Sequence, residues 1–262
     1  LFNVLGGNIM INKSKLIALI ILSAFTSGSL LAEGFNDNYL QVGYSTNNYK
    51  HTDKVVNIKG SAEFGNNYSV WGEYFYEKGD WNDPQEYETL KYDKLLIGFG
   101  KSFPVSSSVD ITSSFSYDKW NSKKTTEFTA KSISNGVTTY TTTLTNSSYK
   151  YNLSEFSIGI KNLSTSGIEF HIKNNWGRLR GSSVTSSSYY IPSIAIRHIS
   201  ESGIESSAKY LKVKKLGGNP SQSRLELGLI KHINKSFAIG GKLTSSKSPD
   251  WTETGIFVRR SF

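Results

Sequence analysis

The sequence predicts an all-β fold, a transmembrane up-and-down antiparallel β-barrel of twelve strands, with ten as the alternative. Three observations predict it. Segments that alternate apolar and polar residues follow one another along most of the chain, as strands do when side chains point to opposite faces. The connections alternate too, short after even strands and longer after odd ones, the asymmetry of a membrane barrel with tight turns on one side and loops on the other. The last segment, Gly255–Phe262, alternates to its final residue, with Val258 and Ile256 on one face and Arg259, Phe257 and Gly255 on the other. An even strand number brings both ends of the sheet to one side, as closure by antiparallel pairing requires.

Composition allows this fold and excludes several chemistries. The 262 residues include 15 Tyr, 14 Phe and 5 Trp but no Cys. Disulfides, thiolate metal sites and a thiol nucleophile are therefore excluded. Mean hydropathy is negative, unlike a helical membrane protein, yet in a barrel only one strand residue in two faces lipid. The net charge of +9 is spread along the whole chain instead of gathering on one stretch, so nucleic acid is not an expected partner.

Residues 1–32 read as a cleaved signal peptide with a few residues upstream. Lys13 and Lys15 precede the apolar run Leu16–Phe25, small residues follow, and Ala32 is the expected cleavage point. Met10, the single methionine, is a candidate start beside Leu1. Residues 33–262 form the expected barrel.

The strands are justified in order. The first, Asn38–Ser45, sets Leu40, Val42 and Tyr44 against Gln41, Gly43 and Ser45. The second, Lys54–Phe64, sets Val56, Ile58, Ala62 and Phe64 against Lys59, Ser61 and Glu63, and Gly65-Asn66-Asn67 turns the chain. The third, Tyr68–Glu77, sets Val70, Tyr74 and Tyr76 against Trp71, Glu73 and Phe75, and a loop holding Gly79, Asp80, Asp83 and Pro84 is expected after it. The fourth, Lys91–Lys101, sets Leu95, Ile97 and Phe99 against Lys94 and two glycines. The fifth, Val109–Lys119, alternates most cleanly, Ile111, Phe115 and Tyr117 against Asp110, Ser114, Ser116 and Asp118. Residues 120–150 read as a long outer loop in which Glu127–Ile133 and Val137–Leu144 pair as a hairpin about Ser134-Asn135-Gly136.

The sixth strand sets Phe156, Ile158 and Ile160 against Glu155 and Lys161. The seventh sets Ile168, Phe170, Ile172 and Trp176 against Glu169, His171 and Lys173, with a Ser/Gly-rich loop at 177–188. The eighth, Tyr189–His198, contains Pro192, which predicts a bulge or a later strand start because proline cannot donate to the ladder. The ninth carries Glu205 and Lys209, the tenth Arg224 and Glu226 against Leu225, Leu227 and Leu229, and the eleventh Lys242 against Phe237, Ile239 and Leu243.

The expected lumen-facing residues are Lys59, Glu63, Lys94, Asp110, Glu155, Glu169, His171, Lys173, Arg197, Glu205, Lys209, Arg224, Glu226, Lys242 and Arg259. Both signs interleave, so they either close the lumen as an ion-pair network or line a small wet pore. In the pore reading, the basic excess favours anions. Aromatics cluster toward both strand ends, as in two interfacial girdles: Tyr44, Tyr74, Tyr76, Tyr117, Trp120, Trp176, Tyr190 and Tyr210 near the loops, Phe64, Tyr68, Phe170, Phe237 and Phe262 near the turns.

These hairpins, notably Ala62–Gly72 and Leu225–Gly241, together with the terminal Phe262, resemble the small outer-membrane β-barrel proteins of Gram-negative bacteria, over about residues 38–262. The resemblance implies the outer membrane as location. It implies a porin-like channel or structural barrel, with an adhesin or receptor working through the outer loops, or an outer-membrane hydrolase, as alternatives. It also implies an assembly signal in Phe262, Val258 and Ile256, read by the assembly machinery, although Arg260 departs from the usual apolar residue. Expected partners are membrane lipids, small solutes and lipopolysaccharide, the last meeting Lys123, Lys124, Arg178, Arg180, Lys212, Lys214 and Lys215 in the outer loops.

No metalloprotease, phosphate-loop, dinucleotide or calcium motif occurs, so neither a metal, a cofactor nor an enzymatic activity is expected. The only rim set that could suggest hydrolysis is His51 with Asp80 or Asp83.

Overall fold

The computed structural model describes residues 37–48, 53–83, 86–134, 137–163, 167–182, 186–216, 221–248 and 250–262. The expected signal segment, Met10 and His51 lie outside them. The described strands are β1 (Tyr39–Asn47), β2 (Asp53–Phe64), β3 (Tyr68–Asp83), β4 (Glu86–Pro104), β5 (Val109–Ser134), β6 (Val137–Leu163), β7 (Ile168–Gly181), β8 (Ser187–Ile199), β9 (Ile204–Leu216), β10 (Gln222–His232), β11 (Phe237–Lys247) and β12 (Trp251–Ser261). Each pairs with its sequence neighbours, and β1 pairs antiparallel with β12, which closes the barrel. The closing register sets Val42 opposite Val258 and Tyr44 opposite Ile256 on one face, and Gln41 opposite Arg259 on the other. Closure leaves no sheet edge around the body of the cylinder, so the ladders pair the backbone without water all the way round, with one gap between β8 and β9, the condition for crossing a bilayer with strands.

Burial is inverted relative to a water-soluble protein. Ile256 is 71 % exposed, Leu229 58 % and Ile97 54 %, all on the outer face, whereas Gln41, Ser45 and Asp118 on the inner face are 2 % exposed. A soluble barrel buries its apolar set. Here most of the buried side chains are polar, apart from a small cluster of Ile230, Ala238 and Phe257, and the rind is apolar.

The inner-end connections 65–67, 105–108, 200–203 and 233–236 are tight. Asn66 and Asn67 both adopt positive φ, 47° and 67°, a conformation asparagine tolerates better than most residues. Gly203 does the same at 72° and returns a hydrogen bond from its N–H to the Ser200 carbonyl at 2.9 Å.

The outer end departs from the expected long loops. Residues 120–150 are not a loop carrying a separate hairpin: β5 and β6 run unbroken for 26 and 27 residues. They pair in one register from Val109–Asn162 to Ser134–Val137. The expected pairing of Glu127–Ile133 with Val137–Leu144 is part of that ladder. Likewise Gly79, Asp80 and Asp83 belong to β3, and Arg178 and Arg180 to β7. The asymmetry between the two ends lies mainly in overhanging strands; the connections at the outer end are at most one residue longer than the longest inner turn. Above the apolar band both faces meet water, so the period of two disappears from the sequence. Threonine and tyrosine still favour the strand, and the ladder still satisfies the backbone.

Pro192 causes neither a bulge nor a later start. The strand runs through it, and the pairings Tyr190–Lys214 and Ser193–Leu211 on either side keep one register while Ile191 and Pro192 drop out of the β8–β9 ladder. The missing N–H is accommodated by a gap in one ladder, while on the other side Pro192 stays opposite Asn174 of β7.

Candidate functional site

The interior face is built by every second residue of each strand, so the registers assign its lining. At the inner end a charged cluster crosses the lumen. Asp37 lies two residues ahead of β1, yet it accepts from Arg197 Nη1 on β8 at 3.0 Å and from Lys161 Nζ on β6 at 3.4 Å. Lys161 also meets Glu169 of β7 at 3.1 Å. Glu205 of β9 gathers Arg197 Nε at 3.5 Å, Arg259 Nη1 of β12 at 3.6 Å and His232 Nε2 at 3.3 Å. Arg259 in turn donates from Nε and Nη2 to the Gln41 Oε1 of β1, at 3.3 and 3.2 Å. Asp110 is placed opposite Lys161, and Glu63 stands at the same end, its backbone N–H donating to the Asn38 side chain.

Burial acts on Asp37 to raise its pKa. The Arg197 guanidinium and the Lys161 ammonium beside it act more strongly in the other direction, and its carboxyl is held below the usual carboxylate range.

Beside that cluster, His171 stands opposite Lys161, its Nε2 3.2 Å from Thr112 Oγ1. Lys173 of β7 reaches across to the Trp71 ring of β3, 5.9 Å from its centroid. Glu155 sits between Ser116 and Gly177 of its neighbouring strands. Lys59 is opposite Glu73, Lys94 pairs with Asp118 at 3.1 Å, and Lys209 and Arg224 flank Glu226 at 3.6 and 3.9 Å. Lys242 pairs with Glu253. All fifteen expected residues thus stand on the interior face, and the cations Lys94, Lys161, Arg197, Lys209, Arg224, Lys242 and Arg259 each have a carboxylate within ion-pair distance. The lumen is charge-compensated, and the anion preference expected from the basic excess has no support there.

Two glycines make room for interior rings. A Cβ at Gly98 would strike the Trp71 indole, and one at Gly240 would strike the Phe257 ring. Higher up, Phe75, Tyr92, Trp120 and Tyr151 form a strip over β3 to β6, with successive centroids 5.6, 6.3 and 6.2 Å apart. Trp120 is therefore a lumenal residue, not a member of the outer girdle: the unbroken β5 continues the alternation that sends even-numbered residues inward.

The other expected upper-girdle residues, Tyr44, Tyr74, Tyr76, Tyr117, Trp176, Tyr190 and Tyr210, fall on the outer face. So do Phe64, Tyr68, Phe170 and Phe237 near the turns, where Phe64, Tyr68 and Phe99 contact one another. Arg260 lies on the outer face between two rings, its guanidinium carbon 6.0 Å from Phe237 and 5.6 Å from Phe262. A long side chain with a charged head suits that boundary. Of the basic residues expected in outer loops, all lie on strands; Lys124 faces inward and pairs with Glu88, and Lys215 also faces inward. Among the described residues no group of three or more His, Asp and Glu is placed to hold a metal.

The residues that sequence reasoning missed are Asp37, Gln41, His232 and the ring strip. Asp37 precedes the first alternating residue. Phe75, however, already shares its parity with Glu73 and Glu77, and that parity marks an aromatic on the polar side.

No protein-family model matches the chain, and no curated protein sequence does. Solved structures do match over nearly their full length. NanC porin aligns with TM-score 0.57 at 8 % identity, covering 85 % of this chain and 100 % of that one. KdgM porin in complex with disordered oligogalacturonate aligns with TM-score 0.54 at 11 % identity, covering 86 % and 99 %. The translocator domain of the autotransporter NalP from Neisseria meningitidis aligns with TM-score 0.53 at 9 % identity, covering 95 % of each chain. At these identities the likeness is one of fold: this closed twelve-strand antiparallel barrel shares its architecture with porins and with an autotransporter translocator domain.

Proposed function

We propose that this protein is an integral outer-membrane barrel whose lumen conducts small solutes as a narrow, porin-like channel. The observation that carries the reading is the inversion of burial on a closed sheet, apolar side chains outside and ion-paired polar ones inside. Such a surface is stable only against lipid, and such an interior only against water or its own partners. Porin neighbours of the same fold support the channel. The pairing of interior cations argues for weak charge selectivity. Location in the outer membrane, export by the 1–32 segment and recognition of Val258, Ile256 and Phe262 by an assembly machinery belong to the same reading.

One arrangement favours a second reading. Asp37, Arg197 and Lys161 meet across the lumen, so the barrel is closed at rest if that cluster stays shut. Planar-bilayer recording of refolded protein separates the two. Discrete conductance steps with a reversal potential near zero under a salt gradient support the channel. A folded, inserted barrel that carries no current supports the closed one.

A further inference from the structure

Four lysines stand in one line on the outer surface. Lys54 of β2 is opposite Lys78 of β3, Lys78 is opposite Lys91 of β4, and Lys91 is opposite Lys123 of β5. The same registers put all four on the lipid-side face, two residues beyond Val56, Tyr76, Asp93 and Asn121 toward the overhanging ends. All four are exposed. Lys78 meets Asp80 at 3.4 Å with both heads about half exposed. Among the described residues no carboxylate stands within ion-pair distance of Lys54, Lys91 or Lys123. The lumenal cations, by contrast, nearly all have carboxylates beside them.

Directly opposed like charges destabilise a sheet. Here the unfavourable pairing is repeated three times in succession, at one height, where nothing in the fold demands it. An anion laid along the row turns each repulsion into an attraction. The height identifies what carries that anion. The row lies one step past Val56, Tyr76, Asp93 and Asn121, where the outer face turns polar, and two steps past Ile58, Tyr74 and Leu95, which share their row with Lys119 and suit acyl chains; that is the level of the headgroups of the outer leaflet. An anion dissolved in water gains nothing from this placement; one anchored at the membrane surface does.

We propose that Lys54, Lys78, Lys91 and Lys123 form a binding site for the phosphate groups of an outer-leaflet phosphoglycolipid of the lipid A kind. The proposal rests on the outer-membrane reading and adds a defined site to it. Lysine suits the role, since its ammonium binds phosphate as a mobile point charge and adapts to phosphates on successive lipids.

The test uses refolded full-length protein and the variant K54Q/K78Q/K91Q/K123Q, each titrated with lipid A, with dephosphorylated lipid A and with inorganic phosphate, following thermal unfolding and binding. Without lipid the variant melts at or above the temperature of the parent, because the repulsion is gone. With lipid A the parent gains stability and the variant does not, and binding weakens in the variant by about tenfold or more. Equal responses of parent and variant overturn the site. So does an effect of inorganic phosphate or dephosphorylated lipid A as large as that of lipid A. A barrel that inserts into vesicles and ignores lipid A overturns this proposal alone, and a chain that never inserts overturns the membrane reading with it.

Discussion

The carboxylate of Asp37 accepts a hydrogen bond from Arg197 Nη1 at 3.0 Å, although one residue leads into β1 and the other stands on β8 across the lumen. Arg197 and Lys161 hold the Asp37 pKa below its ordinary value against the opposing effect of burial. A carboxylate with a lowered folded-state pKa stabilises above the unfolded-state value, about 3.9, and that contribution is lost as the pH falls through the folded-state value. The difference in stability between the parent and Asp37→Asn is therefore constant from neutral pH down to about pH 4 and disappears in stronger acid. At neutral pH the substitution costs about 1–3 kcal/mol, between the values for exposed and buried pairs. Thermal unfolding in detergent at pH 7 and pH 2 measures both.

The ring of Phe257 occupies the space over Gly240 inside the barrel, where an added Cβ would also approach the Leu229 carbonyl oxygen to 2.8 Å. Gly240→Val then destabilises the barrel by about 1–3 kcal/mol, as overpacking does. In the background Phe257→Ala the same change costs less, because the ring is gone. A double-mutant cycle from urea titrations gives the coupling; additive effects would show that the two residues do not meet.

The part of β5 and β6 beyond Lys124 pairs only with itself and with the outer end of β4, since β6 first meets β7 at Tyr151. Replacing residues 125–146 with a two-residue Asn-Gly turn leaves closure intact. The shortened protein retains its folded electrophoretic mobility before heating and its conductance. Loss of folding would mean that this extension helps to build the barrel, and loss of attachment to a surface with conductance kept would reveal an adhesive role.

Much of this architecture is legible in the sequence because the bilayer imposes a strict code on the middle of each strand. Ile111, Phe115 and Tyr117 against Asp110, Ser114 and Ser116 can be read residue by residue, and so can the lumenal position of Glu169 or Arg197. The code fails where the solvent is the same on both sides. From Asn121 to Lys150 no face is apolar, and a strand of 26 residues reads as a strand of eleven followed by a loop. At that same boundary the pattern points Trp120 to the wrong face. The contacts of Asp37 and Gln41 are illegible for another reason. Their partners, Arg197 and Arg259, are 160 and 218 residues away in the chain, and only closure brings them together. The lysine row follows from register, which strand assignment alone does not supply.

Ile256 is 71 % exposed on the outer face. On a water-soluble protein Ile256→Lys would change stability by less than about 0.5 kcal/mol. Facing lipid it costs about 2–4 kcal/mol near the middle of the bilayer, measured by urea titration of protein folded into vesicles. A neutral result there would place this face in water.

The chain contains no cysteine, so each introduced thiol reports on one position. Val42→Cys, Ile97→Cys and Ile256→Cys sample the apolar face; Ser45→Cys, Ser116→Cys and Ser157→Cys sample the lumen. The decisive measurement is thiol labelling of these variants in proteoliposomes, with a membrane-impermeant reagent and with a lipid-soluble one. The account predicts that the first three react only with the lipid-soluble reagent, and that Ser45→Cys and its companions react with the water-soluble reagent or with neither. Reaction of Ile97→Cys and Ile256→Cys with the impermeant reagent at the rate of a free thiol would contradict it.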